Sequence, residues 1–169
     1  MLALARVESG ASTGPTPTSD LNHCVCTTVT QLETFATVRQ VSVAVHDLSA
    51  ACIVPLSSDD CSLIVSNLLM NAIQHSPPHT QIDVRLGTSE GSAQFTVEDH
   101  GEGIDPATLP RVFERFYRGD PSRARATGGA GLGLAICKAA VEKAGGAITL
   151  ASEPGRGTTA TVRLPVTTR

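Results

Sequence analysis

Gln94, Phe95, Thr96 and Val97 alternate polar and apolar side chains, the period of a half-buried β-strand, and the pattern breaks at Asp99-His100-Gly101-Glu102-Gly103. A chain with this break turns at a strand end with a carboxylate lying beside bare backbone. Glycine tolerates positive φ there and lets a flat group lie close to the main chain. An ionised carboxylate accepts hydrogen bonds and donates none, so Asp99 selects amino-bearing partners. An Asp-Gly hairpin turn would use the same residues, so the reading depends on what surrounds it.

Period and punctuation mark out the elements. Residues 11–20, rich in Gly, Pro, Ser and Thr, read as a linker. Val29, Leu32, Phe35, Ala36 and Val38 predict an amphipathic helix from about Cys26 to Arg39. Strands are expected from Val41 to Val45 and from Ala51 to Val54. Ser57 to Asp60 supply capping residues and early acids for a helix from Ser58 to His75, which Pro77 and Pro78 stop. Gln81 to Leu86 and Ala93 to Glu98 read as strands joined by a loop from Gly87 to Ser92. Pro106 to Tyr117 reads as short helical material, and Arg118 to Gly129, which has no hydrophobic period, is expected to be mobile. A helix from Gly131 to Ala144 ends at Gly145-Gly146, and Ala147 to Ala151 and Thr158 to Leu164 close the chain as strands.

Three further stretches carry chemistry. Asn67, Asn71 and His75 recur every four residues and so share one stripe of an otherwise apolar helix. Each asparagine costs roughly half a kcal/mol against alanine in a helix, and an amide oxygen is a hard neutral ligand of the kind Mg²⁺ accepts. A solvated polar face would account for the stripe equally well. Five of the 13 Lys and Arg side chains lie between Arg111 and Arg125, among Phe113, Phe116 and Tyr117. Arginine forks onto phosphate oxygens, so the cluster suits a lid over a polyphosphate, with the three aromatics anchoring it to the core. Gly128-Gly129-Ala130-Gly131-Leu132-Gly133-Leu134 opens a helix whose free N–H groups suit an anion. Gly133, inside the first turn, costs about 1 kcal/mol against alanine, which implies a close approach. The run is neither a P-loop, because no Lys-Ser/Thr follows, nor a dinucleotide fingerprint, because no strand precedes it.

With 169 residues the chain fits one ordinary domain. A net charge of −3 and only five aromatic side chains argue against nucleic acid. No apolar run approaches the ~20 residues that cross a bilayer, so this stretch is expected to make no membrane contact. Cys24, Cys26, Cys52, Cys61 and Cys137 are an odd set with no metal-ligand spacing beyond Cys24-x-Cys26 after His23. They read as reduced thiols, mostly small core side chains, of a cytoplasmic protein.

In order, Asn67-Leu-Leu-Met-Asn71-Ala-Ile-Gln-His75, Asp99-His-Gly-Glu-Gly103, Phe113-Glu-Arg-Phe-Tyr-Arg118 and Gly129-Ala-Gly-Leu-Gly-Leu134 resemble the N, G1, F and G2 boxes of sensor histidine kinases. Those kinases belong to the ATPase superfamily that includes gyrase, the Hsp90 chaperones and the MutL mismatch-repair proteins. Gly155-Arg-Gly-Thr158 resembles its last glycine motif. The resemblance implies a two-layer α/β sandwich, a mixed and mostly antiparallel sheet of about five strands with three main helices on one face. It implies ATP and Mg²⁺ as cofactors. Asp99 would take the adenine amino group with support from Thr158, and Gly101, Gly103 and Ile104 would frame the base. Asn71 would bind Mg²⁺, assisted by Asn67, and Arg118 would reach the terminal phosphate. Gly129, Gly131, Leu132, Gly133 and Leu134 would wrap the phosphates. His75 stands where the family often has Tyr or His, and Gln74 replaces a common Lys.

In the gyrase and Hsp90 branch a water-activating Glu stands where this chain has Asn67, which cannot act as a base, so hydrolysis should be slow and ATP kept for transfer. The family's acceptor histidine stands on a separate dimerising hairpin. His46-Asp47-Leu48-Ser49 does not supply it, since it follows a strand and lacks the motif's Arg and Pro. Residues 1–10 resemble the tail of that hairpin, and residues 21–169 would form the catalytic domain. The implied partners are a dimerisation and phosphoacceptor domain and a response regulator, within a cytosolic portion of a membrane-bound sensor. The alternatives are an anti-sigma-type nucleotide-binding module that captures a partner protein, and, motivated by Gln74, a domain that binds no nucleotide.

Overall fold

The computed structural model describes residues 16–46, 51–117 and 131–167. Its elements are β1 (Ser19–Asp20), α1 (Leu21–Val38), β2 (Ser42–His46), β3 (Ile53–Val54), α2 (Ser58–His75), β4 (Gln81–Ser89), β5 (Ser92–Asp99), a 3-10 turn (Leu109–Arg111), α3 (Gly133–Lys143), β6 (Ala147–Glu153) and β7 (Gly157–Pro165). Five strands form one sheet in the order β2-β4-β5-β7-β6, parallel between β2 and β4 and antiparallel elsewhere. Helices cover one face, as the resemblance implied, and β1 pairs with β3 in a separate two-stranded ladder. Ser19 and Asp20, assigned to the linker, thus belong to a strand, and Asp20 also caps α1 through Asn22 N–H at 3.0 Å.

Helix α1 begins five residues before the predicted Cys26 because its buried stripe runs through Leu21, Cys24, Val25 and Thr28. Thr28 reads as polar in sequence, but its hydroxyl donates to the Cys24 carbonyl at 2.8 Å and can therefore be buried. Helix α2 matches its predicted bounds. Ser57 Oγ accepts the Asp60 N–H at 3.0 Å, and Ile64, Val65, Leu68, Leu69, Ala72 and Ile73 face the core. The six-residue loop expected between β4 and β5 is instead a two-residue turn, Glu90-Gly91, at φ +50° and +76°. Two successive left-handed residues match the right-handed twist of the strands, so pairing continues to Ser89 and Ser92.

The inner face of the sheet is built in rungs. Leu86, Phe95, Val162 and Ile148 form one, and Val84, Val97, Ala160 and Leu150 the next. Phe95, Val84, Val97 and Val162 are almost fully buried under α2 and α3. The rung after these is polar: Asp99, Thr158 and Ser152 stand in register across β5, β7 and β6. The outer face carries Asp83, Arg85, Glu98, Thr96, Thr161 and Arg163, as a one-sided sheet requires.

Candidate functional site

The site grows from the polar rung. Asp99 is only 8% exposed, and its Oδ1 accepts the Gly101 N–H at 2.8 Å and the Thr158 N–H at 3.2 Å. Burial pushes its carboxyl above the ordinary range, outweighing the downward pull of those two N–H groups and of nearby His75 and His100. Among the described residues nothing donates to its other oxygen. The carboxylate is therefore half satisfied and buried, an arrangement a donor-bearing ligand completes.

The loop after Asp99 is fastened on two sides. A Cβ at Gly101 would lie 2.3 Å from the His75 carbonyl oxygen, so glycine is required here by contact with the end of α2. Positive φ, which the sequence suggested at this turn, falls instead on Gly103 at +70°, whose Cβ would meet the Glu153 carbonyl at 2.1 Å. On the other side Gly155 N–H donates to the Glu102 carbonyl at 2.8 Å, and Ile104 N–H donates to Ser152 Oγ at 2.8 Å. Gly101, Gly103 and Ile104 are thus locked between α2 and the β6–β7 turn.

The amide stripe runs along α2 from this loop towards α3. His75 pairs with Glu102 at 3.4 Å, Nδ1 to Oε1, on an exposed rim. The Gln74 carbonyl accepts from the Arg39 guanidinium at 2.7 Å. A cleft of about 510 Å³ opens here between Gln74, His75, His100 and Glu102. Asn71, one helical turn before His75, is half-buried and has no hydrogen-bond partner among the described residues. Asn67 lies against the start of α3: a Cβ on Gly133 would stand 2.9 Å from its Oδ1. Nearby Cys137 donates its thiol to the Ile64 carbonyl at 3.9 Å, and burial pushes that thiol up to about 12 against a smaller downward pull from the Asn67 side chain. The close approach inferred for Gly133 is therefore to Asn67, which brings the amide stripe to the glycine-started helix.

Gly131 takes φ +67°, so α3 starts at Gly133, two residues later than predicted. Leu132 stands at its N-cap without a side-chain cap, and Leu134 follows in the first turn, half-buried against the core. Among the described residues no side chain caps the first-turn N–H groups, the arrangement that suits an anion. Gly131 O accepts the Phe116 N–H at 3.0 Å. Of the three aromatics expected to anchor this region, Phe113 alone packs on the core. Tyr117 stacks under the Arg111 guanidinium, 4.2 Å from the ring centroid, and Phe116 is 69% exposed at φ +62°. Arg118, Gly128 and Gly129 lie outside the described residues.

Sequence reasoning missed Ser152. Its signal was present, since Ile148 and Leu150 alternate inward along β6 and the next inward position is a serine, as β5 ends in Asp99 and Thr158 is the first inward side chain of β7. Four of the five cysteines are buried and Cys26 is exposed.

Residues 57–168 match the family model described as histidine kinase-, DNA gyrase B- and HSP90-like ATPase. The chain is 43% identical over 116 residues to the phosphate regulon sensor protein PhoR of Pseudomonas aeruginosa, covering 68% of this chain and 26% of that one. It is 45% identical over 101 residues to the sensor-like histidine kinase SenX3 of Mycobacterium tuberculosis, covering 60% and 25%. It thus spans about a quarter of the length of these curated relatives. Among solved structures, the mycobacterial sensor histidine kinase MprB superposes with a TM-score of 0.74 at 30% identity, covering 92% of this chain and all of that one. Full-length ShkA in complex with AMPPNP shares the fold, with a TM-score of 0.81 at 23% identity over 99% of this chain and 35% of that one. These likenesses do not favour an anti-sigma module. The chain belongs to the histidine kinase-, DNA gyrase B- and HSP90-like ATPase family, with the catalytic domains of sensor histidine kinases as its relatives.

Proposed function

We propose that this chain is the ATP-binding catalytic domain of a two-component sensor histidine kinase and transfers the γ-phosphoryl group of ATP to a histidine on a separate dimerisation domain. The observation that carries the reading is Asp99: a buried carboxylate with one oxygen held by two backbone N–H groups and the other without a donor. Gly101, Gly103 and Ile104 form the floor beneath a base, and the stripe from His75 through Asn71 to Asn67 leads to the open N-terminus of α3, where phosphates fit.

Mg²⁺ fits the residues present. Asn71 offers a half-buried amide with no other described partner, and Asn67 offers an amide oxygen beside Gly133. When bound, the ion neutralises charge on the phosphates. Asn67 cannot take a proton from water, so the domain retains ATP until an acceptor arrives. Arg118 would add charge at the terminal phosphate. The phosphohistidine would pass its phosphoryl group to a response regulator, and the domain would work on the cytosolic side of a sensor. No helix among the described residues is long and apolar enough to cross a membrane.

Two experiments test this. Calorimetry with Mg-ATP is expected to give micromolar-range binding that Asp99→Asn weakens at least about 30-fold, because the substituted amide presents a donor to the base's amino group. Unchanged binding in that variant removes Asp99 from the base site. Incubation with labelled ATP and a separately made acceptor hairpin is expected to label the hairpin and leave this chain unlabelled; an unlabelled hairpin that has dimerised correctly contradicts the kinase reading.

A further inference from the structure

We infer that Ser152 fixes the hydrogen-bond polarity of the base pocket and so helps it prefer a 6-amino purine over a 6-oxo purine, an inference that rests on the nucleotide reading above. Ser152 Oγ has three partners: the Ile104 N–H at 2.8 Å, the Gly157 carbonyl oxygen at 2.9 Å and Thr158 Oγ1 at 2.8 Å. A serine hydroxyl carries one proton and two lone pairs. Ile104 N–H occupies one lone pair. The Gly157 carbonyl only accepts, so it takes the serine proton. The contact with Thr158 therefore has one remaining solution, in which Thr158 donates and Ser152 accepts. The Thr158 proton is turned along the sheet towards β6, and what Thr158 offers its other neighbours is lone pairs only.

Thr158 stands between Ser152 and Asp99 in the same rung and on the same face of the sheet. Its own N–H is spent on Asp99 Oδ1. Asp99 and Thr158 thus present two adjacent acceptors and no donor. An exocyclic amino group, or a water that donates to both, satisfies this pair. A 6-oxo group opposes acceptor to acceptor at both positions. Ser152 never needs to touch the nucleotide; it is a positioning residue that holds the Thr158 rotor. The same oxygen anchors Ile104, so it also ties the pocket floor to the rung.

The test compares ATP with ITP, in which the 6-amino donor becomes a 6-oxo acceptor and N1 changes from an acceptor to an N–H donor, by calorimetry on the full chain and its variants. The unaltered chain is expected to bind ATP well and ITP poorly; if it binds neither, the nucleotide reading fails before Ser152 enters. In Ser152→Ala the Thr158 hydroxyl is free to donate, so the ATP-to-ITP affinity ratio is expected to shrink about tenfold, while Ser152→Thr, which keeps a hydroxyl, is expected to restore it. Equal weakening of both nucleotides, or an unchanged ratio in a variant that melts cooperatively, overturns the inference. Should Ser152→Ala fail to fold, Thr158→Val supplies the second reading: losing that acceptor must weaken ATP more than ITP, and an unchanged ratio there overturns it as well.

Discussion

Asp99 sits at 8% exposure, where its charged form is disfavoured, so the nucleotide-free fold gives up stability to hold a carboxylate in place. Because burial raises the folded pKa above the unfolded value, the native state holds its proton more tightly. The contribution of Asp99 to stability is then greatest below the unfolded carboxylate range and falls as pH rises through the folded pKa. Asp99→Asn is neutral throughout and escapes that fall. Its nucleotide-free melting temperature is expected to exceed the parent's near neutral pH, with the gap closing as the acid range is approached, while its ATP affinity is expected to fall. Gly133→Ala separates the same two properties differently. Alanine favours the helix, by less than the about 1 kcal/mol of an interior position because Gly133 is its first residue, but its Cβ would stand 2.9 Å from Asn67 Oδ1, a side-chain end that can move. Thermal stability is expected to hold or rise while Mg-ATP affinity drops severalfold by calorimetry; unchanged affinity would show that the position of Asn67 is immaterial. Sequence alone revealed that Gly133 needed space, since glycine is costly in a first turn. It could not reveal that the space was for Asn67, 66 residues earlier in the chain.

Helix α2 was legible to the residue because cap, early acids, apolar stripe and terminal prolines all agree on it. The β4–β5 hairpin was not, since Gly87, Ser89, Gly91 and Ser92 look alike as loop formers until register is known, and the first turn position is filled by Glu90. Glutamate at φ +50° is strained where asparagine is not. Glu90→Asn is therefore expected to stabilise the fold by about 0.5 to 1 kcal/mol, read as a rise in denaturation midpoint without a change in slope. The β6–β7 turn was hidden in a similar way: its glycines were visible, but the stitching of Gly155 to Glu102 and of Ile104 to Ser152 joins segments about 50 residues apart, beyond any local pattern.

The architecture was recoverable because four short motifs fell in one order, each placed on a helix, strand end or helix start that the hydrophobic period had already marked. The register of the sheet was not, and register is what brings Asp99, Thr158 and Ser152 into one rung. That rung depends on β7, which follows every other described strand in sequence and yet lies inside the sheet between β5 and β6. A chain shortened to end at Arg156 is expected to lose its cooperative melt, because β5 and β6 have no common neighbour without β7. For a polypeptide leaving the ribosome, the order of synthesis then sets a lower limit: the purine seat lacks a wall until Thr158 has emerged, so nucleotide capture cannot precede synthesis of β7.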